Sequence, residues 1–162
     1  MKLENKNAEA QSQTHKPNPA LRRLEALVGE WDMEITNMSF LPDPSTRVQG
    51  WAVFEWFETG AFLLVHSSTE NGIPPDAVEV IGCDETDETY TMLYFDSRGV
   101  SRVCEMLLKD GLWKVWRNSP DFSQLFTATF SSDGNTITGS WEKLTDGVNW
   151  EHDLDLTYTR IK

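Results

Sequence analysis

Basic residues are scarce in this 162-residue chain: Lys and Arg number 14 against 26 Asp and Glu, a net charge of −12. That sign argues against nucleic acid and anionic membrane as partners, because both are held by basic surfaces. Cysteine is nearly missing. Cys83 and Cys104 are too few for a disulfide framework and fit a reducing cytoplasm. No apolar run reaches the length of a membrane-spanning helix, and the N-terminal residues are polar, without the apolar stretch of a signal peptide. The motifs of common catalytic chemistries are missing too: there is no G-x-S-x-G elbow, no H-E-x-x-H, no Gly-rich phosphate loop and no dinucleotide fingerprint. The three histidines, His15, His66 and His152, lack the tight spacing of metal ligands. The acidic run at 84–88 (DETDE) lacks the spacing of a calcium loop and reads as a solvated turn. We therefore assign no catalytic residue and no metal ligand from the sequence. No fixed-period repeat is visible, which weighs against a propeller.

What is present is an ordinary globular composition, 39% apolar and 25% charged, enough for one domain with a real core. Residues 1–17 show no apolar period and read as a flexible polar tail; 18–162 form the domain. Residues 1–23 carry a net charge of +3 and the remainder −15, so a mildly basic arm precedes an acidic body. Asn18 is a good N-cap and Pro19 suits the first helical position. Leu21, Leu24, Leu27 and Val28 recur at helical spacing, and Gly29 can end the helix. With one apolar face, this short helix must lie on something.

Beyond Gly29 the period falls to two, and strands are predicted near 30–37, 46–57, 61–70, 77–83, 89–95, 100–108, 112–117, 122–130, 135–143 and 148–160. Thr59-Gly60, Ser97-Arg98-Gly99, Asp110-Gly111, Asp133-Gly134 and Asp146-Gly147 separate them, and Asp-Gly is a strong hairpin signal. Short turns permit only antiparallel neighbours. A meander of about ten strands would expose two bare edges, and closure removes them. The expectation is an all-β, up-and-down barrel of about ten strands with the helix over one end.

Gly29-Glu30-Trp31, following a short helix and opening the first strand, resembles the Gly-X-Trp motif of the calycins, among them lipocalins and fatty-acid-binding proteins. The resemblance implies that Trp31 closes one end of the barrel and that Arg160, in Tyr158-Thr159-Arg160 of the last strand, packs over it. The stretch from Gly139-Ser140-Trp141 to Arg160 resembles the end of a bacterial lipocalin-like family of unknown function. The likeness spans roughly residues 20–160 and implies a fold and a pocket rather than an activity. In size, strand number and a last-strand histidine the chain also resembles nitrobindin-type barrels, whose histidine ligates haem iron. It departs from them in having no glycine in Asp32-Met33-Glu34-Ile35.

Trp150, His152, Leu154, Leu156, Tyr158 and Arg160 share one face of the last strand by alternation, so His152 is expected to look into the lumen, about 26 Å from Arg160 at ~3.3 Å per residue. His66 lies in a run apolar on both faces and its direction is open. Arg102 shares a face with Cys104, Met106 and Leu108, which would point it inward, though the outward reading stands beside it; Glu105 is on the other face. The leading reading is a cytoplasmic, non-enzymatic lipocalin-like protein that binds a small apolar or aromatic molecule inside the barrel. Its candidate residues are His152 and Trp150, then Tyr94, Arg102 and His66; Gly29, Trp31 and Arg160 are structural. Three alternatives accompany it: a haem- or metal-binding barrel using His152, an interaction module with a filled barrel and a homodimer face, and a barrel isomerase or cyclase needing two converging titratable groups. The leading reading needs no cofactor; haem belongs to the first alternative.

Overall fold

A computed structural model describes residues 18–57, 60–84 and 88–161. The polar tail expected over 1–17, with His15, lies outside the described residues, as do positions 58–59 and 85–87 in two of the expected turns. Ten strands form one closed antiparallel barrel. They are β1 (Gly29–Thr36), β2 (Val48–Trp56), β3 (Leu63–Thr69), β4 (Ala77–Cys83), β5 (Tyr90–Asp96), β6 (Ser101–Lys109), β7 (Leu112–Arg117), β8 (Ser123–Phe130), β9 (Thr136–Leu144) and β10 (Trp150–Arg160). Each strand pairs with its neighbours in sequence, and β10 pairs with β1 to close the cylinder. The turn chemistry accounts for this simple order. Lys109 pairs with Leu112 across a two-residue loop in which Asp110 and Gly111 both take positive φ, 52° and 75°. That is the turn whose twist matches a right-handed hairpin.

The preceding helix is a 3₁₀ helix, Pro19–Ala26, held by bonds such as Leu27 N–H to Leu24 C=O at 2.9 Å. Asn18 caps it, its side-chain oxygen accepting from the Ala20 N–H at 2.8 Å. Leu24 and Leu27 are fully buried, so the apolar face has found its partner at one barrel end. Three side chains fasten it there. The Tyr90 hydroxyl donates to the Ala20 carbonyl at 2.5 Å, and the Trp31 indole N–H to the Leu27 carbonyl at 2.8 Å. The Arg160 guanidinium donates to the Val28 and Ala26 carbonyls at 2.6 and 2.8 Å, while sitting 4.0 Å over the Trp31 ring. One group thus satisfies carbonyls at the helix end and makes a cation–π contact. No helix among the described residues is long and apolar enough to cross a membrane.

Inward positions follow from burial. On β1 Trp31, Met33 and Ile35 are buried, and on β10 Leu154, Leu156 and Tyr158. Midway along the barrel the aromatics meet across it. Phe54 on β2 and Trp113 on β7, strands half the circumference apart, have ring centroids 6.1 Å apart. Tyr158 lies against both, at 6.2 and 5.9 Å. Phe126 joins Trp113 to Trp141, at 5.1 and 5.0 Å. Edge-to-face and offset packing of this kind makes a dense aromatic floor across the lumen.

Candidate functional site

Away from this aromatic floor the lining is different. A row of direct cross-strand partners runs Val65, Glu79, Tyr94, Arg102 through β3, β4, β5 and β6. All four are in phase with buried neighbours: Leu63 on β3, Ala77 and Ile81 on β4, Tyr90 and Met92 on β5, Cys104 and Met106 on β6. Three polar side chains therefore face the lumen side by side, with Cβ atoms about 5 Å apart.

Each sits differently. Burial pushes the Glu79 carboxyl up to about 7, and no hydrogen bond or ion pair reaches it among the described residues. The Tyr94 hydroxyl is committed, donating to the Asp96 carboxylate at 2.9 Å. Arg98, bonded to the same carboxylate at 2.7 Å, holds Asp96 well below the usual range. Arg102 donates to the Gln124 side-chain carbonyl of β8, and its guanidinium lies 4.9 Å over the Phe122 ring and 5.9 Å from that of Tyr94. Burial, with Glu79 next, pushes the Cys104 thiol up to about 11, and Arg102 and Arg117 oppose that shift. At the floor, the Trp113 indole N–H is buried with no acceptor among the described residues. Burial, reinforced by the charge of Glu79, raises the Tyr158 phenol.

The wall beside this row is incomplete. β6 pairs with β5 from Ser101 onward but with β7 only over Glu105–Lys109. β7 ends at Arg117, so the stretch 101–104 has no ladder on that side. An open recess of about 400 Å³ occupies the gap, lined by Ser101–Glu105 and Trp116–Asn118. Arg117, in phase with buried Trp113 and Val115, reaches the Phe122 carbonyl at 2.7 Å.

At the rim, a bulge changes the reading of the last strand. Leu154 pairs with Trp141 but His152 pairs with Glu142, leaving Asp153 as an extra residue. One inserted residue inverts the alternation beyond it. The expectation that His152 looks into the lumen is therefore corrected. Its side chain is 46% exposed and its ring meets the Asp155 carboxylate at 2.9 Å, outside the barrel. Trp150, beyond the same bulge, is 43% exposed. The bulge instead delivers Asp153 to Lys143 at 3.0 Å and to the Ser39 hydroxyl at 3.1 Å. This pins the 37–41 segment, whose Met38 is buried in the core.

His66 is also on the outer wall, exposed, with its ring 5.0 Å from Trp51 in edge-to-face contact. Of the candidate residues the structure thus brings Tyr94 and Arg102 together and leaves His152, Trp150 and His66 outside. Glu79 and Gln124 were not anticipated. The only signal for Glu79 was a lone acid in Ala-Val-Glu-Val-Ile. Among the described residues no three His, Cys, Asp or Glu side chains cluster as metal ligands.

No sequence family and no curated protein matches this chain. Solved structures do. The protein is similar to Rv2717c from M. tuberculosis, with a TM-score of 0.66 at 12% identity over 91% of this chain and 100% of that one. It is also similar to the S-type phycobiliprotein lyase CPES from Guillardia theta, with a TM-score of 0.53 at 13% identity over 87% and 92%. These likenesses are of fold, a closed antiparallel β-barrel.

Proposed function

We propose that this protein binds a small, largely apolar or aromatic molecule in the lumen of the barrel, above the aromatic floor. The observation that carries the reading is Glu79. A carboxyl turned into the lumen without a partner costs stability, and such perturbed groups in a concave site mark function more often than packing. The Trp113 N–H, buried without an acceptor among the described residues, supports the same reading. Tyr94 and Arg102 flank Glu79 and orient the guest. The acidic surface keeps nucleic acid and anionic membrane away, and a reducing cytoplasm suits a chain with two cysteines. The likeness to a phycobiliprotein lyase supports a barrel built around a guest and carries no reaction to this chain. The haem alternative draws no support from His152, whose ring is outside the lumen and bonded to Asp155.

The test is titration with the neutral fluorophore N-phenyl-1-naphthylamine. Saturable one-to-one binding with a blue-shifted emission is expected. Ala77→Trp, which fills the lumen, should abolish it, and Val78→Ser on the outer wall should leave it. Binding indifferent to Ala77→Trp would sink the lumenal reading.

A further inference from the structure

From the gap between β6 and β7 we infer an anion site in the side wall of the barrel, where Arg102 and Arg117 take the acidic group of an otherwise apolar guest. This rests on the lumenal reading and adds the chemical class of the ligand, a molecule with one carboxylate or sulfonate on an apolar body.

Charge pairing argues for it first. In a chain with 26 acids and 14 bases, five of the ten described basic side chains meet an acid, and of the five that do not, Arg102 and Arg117 are the two that line the recess. Arg23 and Lys109 meet Glu88, Arg47 meets Glu34, Arg98 meets Asp96 and Lys143 meets Asp153. Arg102 and Arg117 meet no carboxylate among the described residues. Each spends one N–H on a neutral oxygen, of Gln124 and of Phe122, and a guanidinium has five donors. Both line the same recess of about 400 Å³.

The lining argues for an amphiphile rather than a bare ion. Val103, 64% exposed, and Trp116 form an apolar outer lip to the recess. Phe122 and Tyr94 stack against Arg102 on the inner side, and Cys104 lies between the recess and the lumen. An acid group held by the two forks leaves the body it carries against apolar walls, toward the floor. Forked donors suit carboxylate and sulfonate oxygens. The one carboxylate in the lining, Glu105, faces the outer wall and is engaged by the Trp116 indole N–H.

The experiment pairs 1-anilinonaphthalene-8-sulfonate with N-phenyl-1-naphthylamine, its neutral counterpart. Arg102→Gln and Arg117→Gln should each weaken the sulfonate at least tenfold more than they weaken the neutral dye, with unchanged far-ultraviolet circular dichroism as the check on folding. In the unsubstituted protein, dodecanoate should displace the sulfonate at concentrations where dodecanol does not. That arm needs no variant, so a misfolded substitution cannot mask the answer. If both dyes bind but respond alike to the substitutions, and acid and alcohol compete equally, the anion site is wrong and the lumenal site stands. If neither dye binds, the lumenal reading itself fails.

Discussion

Glu79 holds its proton through the range in which an ordinary carboxyl loses it. With the folded-state value near 7 and an unfolded value near 4.3, the folded chain binds more protons between those limits. Stability then falls as pH rises through that window and levels off above it. Glu79→Gln keeps the shape and removes the titration. We expect the variant to match the parent in urea at pH 4.5 and to exceed it by roughly 2 kcal/mol at pH 8, a value kept below the full linkage figure because the side chain is only partly buried. Equal midpoints at pH 8 would mean that the carboxyl is solvated. Alternation could not reveal this residue. Val78 and Val80 flank it, and the apolar-inward rule selects the valines, yet Val78 is 45% exposed. Next door Leu93 and Val103 also face out while Tyr94 and Arg102 face in, although there the shared face with Cys104, Met106 and Leu108 already points Arg102 inward. A binding lumen that needs polar groups inside reverses the pattern from which faces are read.

At the scale of elements, strand limits were legible because turns carry their own chemistry. Asp-Gly and the other glycine breaks fix where a ladder must reverse, whatever the lumen holds. The β10 bulge was not legible: Trp-Glu-His-Asp-Leu-Asp-Leu alternates without fault, and only the pairing with β9 shows that Asp153 is extra. The 3₁₀ rather than α form of the first helix was likewise invisible in its leucine spacing. Two substitutions test the packing of elements. Gly139 on β9 faces Ala128 on β8 so closely that a Cβ would lie 2.5 Å from the Ala128 Cβ and 2.7 Å from the Thr127 carbonyl oxygen. Gly139→Val should lower stability by about 2–3 kcal/mol, seen as an earlier urea midpoint at unchanged slope. Arg160→Met removes two charge-assisted bonds and strands the carbonyls of Ala26 and Val28. A loss of about 2–3 kcal/mol is expected, with Trp31 fluorescence shifting because its cation is gone. A silent Arg160→Met would mean that the helix is held by Leu24 and Leu27 alone.

The whole molecule is governed by its charge. Closure was deducible because ten hairpin-linked strands leave no other way to hide two edges, but closure says nothing of how an acidic shell tolerates itself. Folding concentrates a net charge of −12 on one small surface, and the resulting self-repulsion opposes the compact state. The ion pairs work the other way, since salt weakens them too. They are mostly solvent-exposed, however, and such pairs contribute only about 0–1 kcal/mol each. The excess of like charge should therefore decide the sign. Raising NaCl from 20 to 300 mM shortens the screening length to well under 10 Å, less than the reach of the repulsion across the barrel wall. The thermal midpoint at pH 7.5 should rise by roughly 3 °C, about 1 kcal/mol for a chain of this size. Glu79→Gln, sheltered inside the lumen, should rise in parallel with the parent, since bulk salt does not screen a lumenal carboxyl. A midpoint that falls with salt would place the balance in the ion pairs instead, and Lys143 with Asp153, the least exposed of them, would then be the pair to remove first.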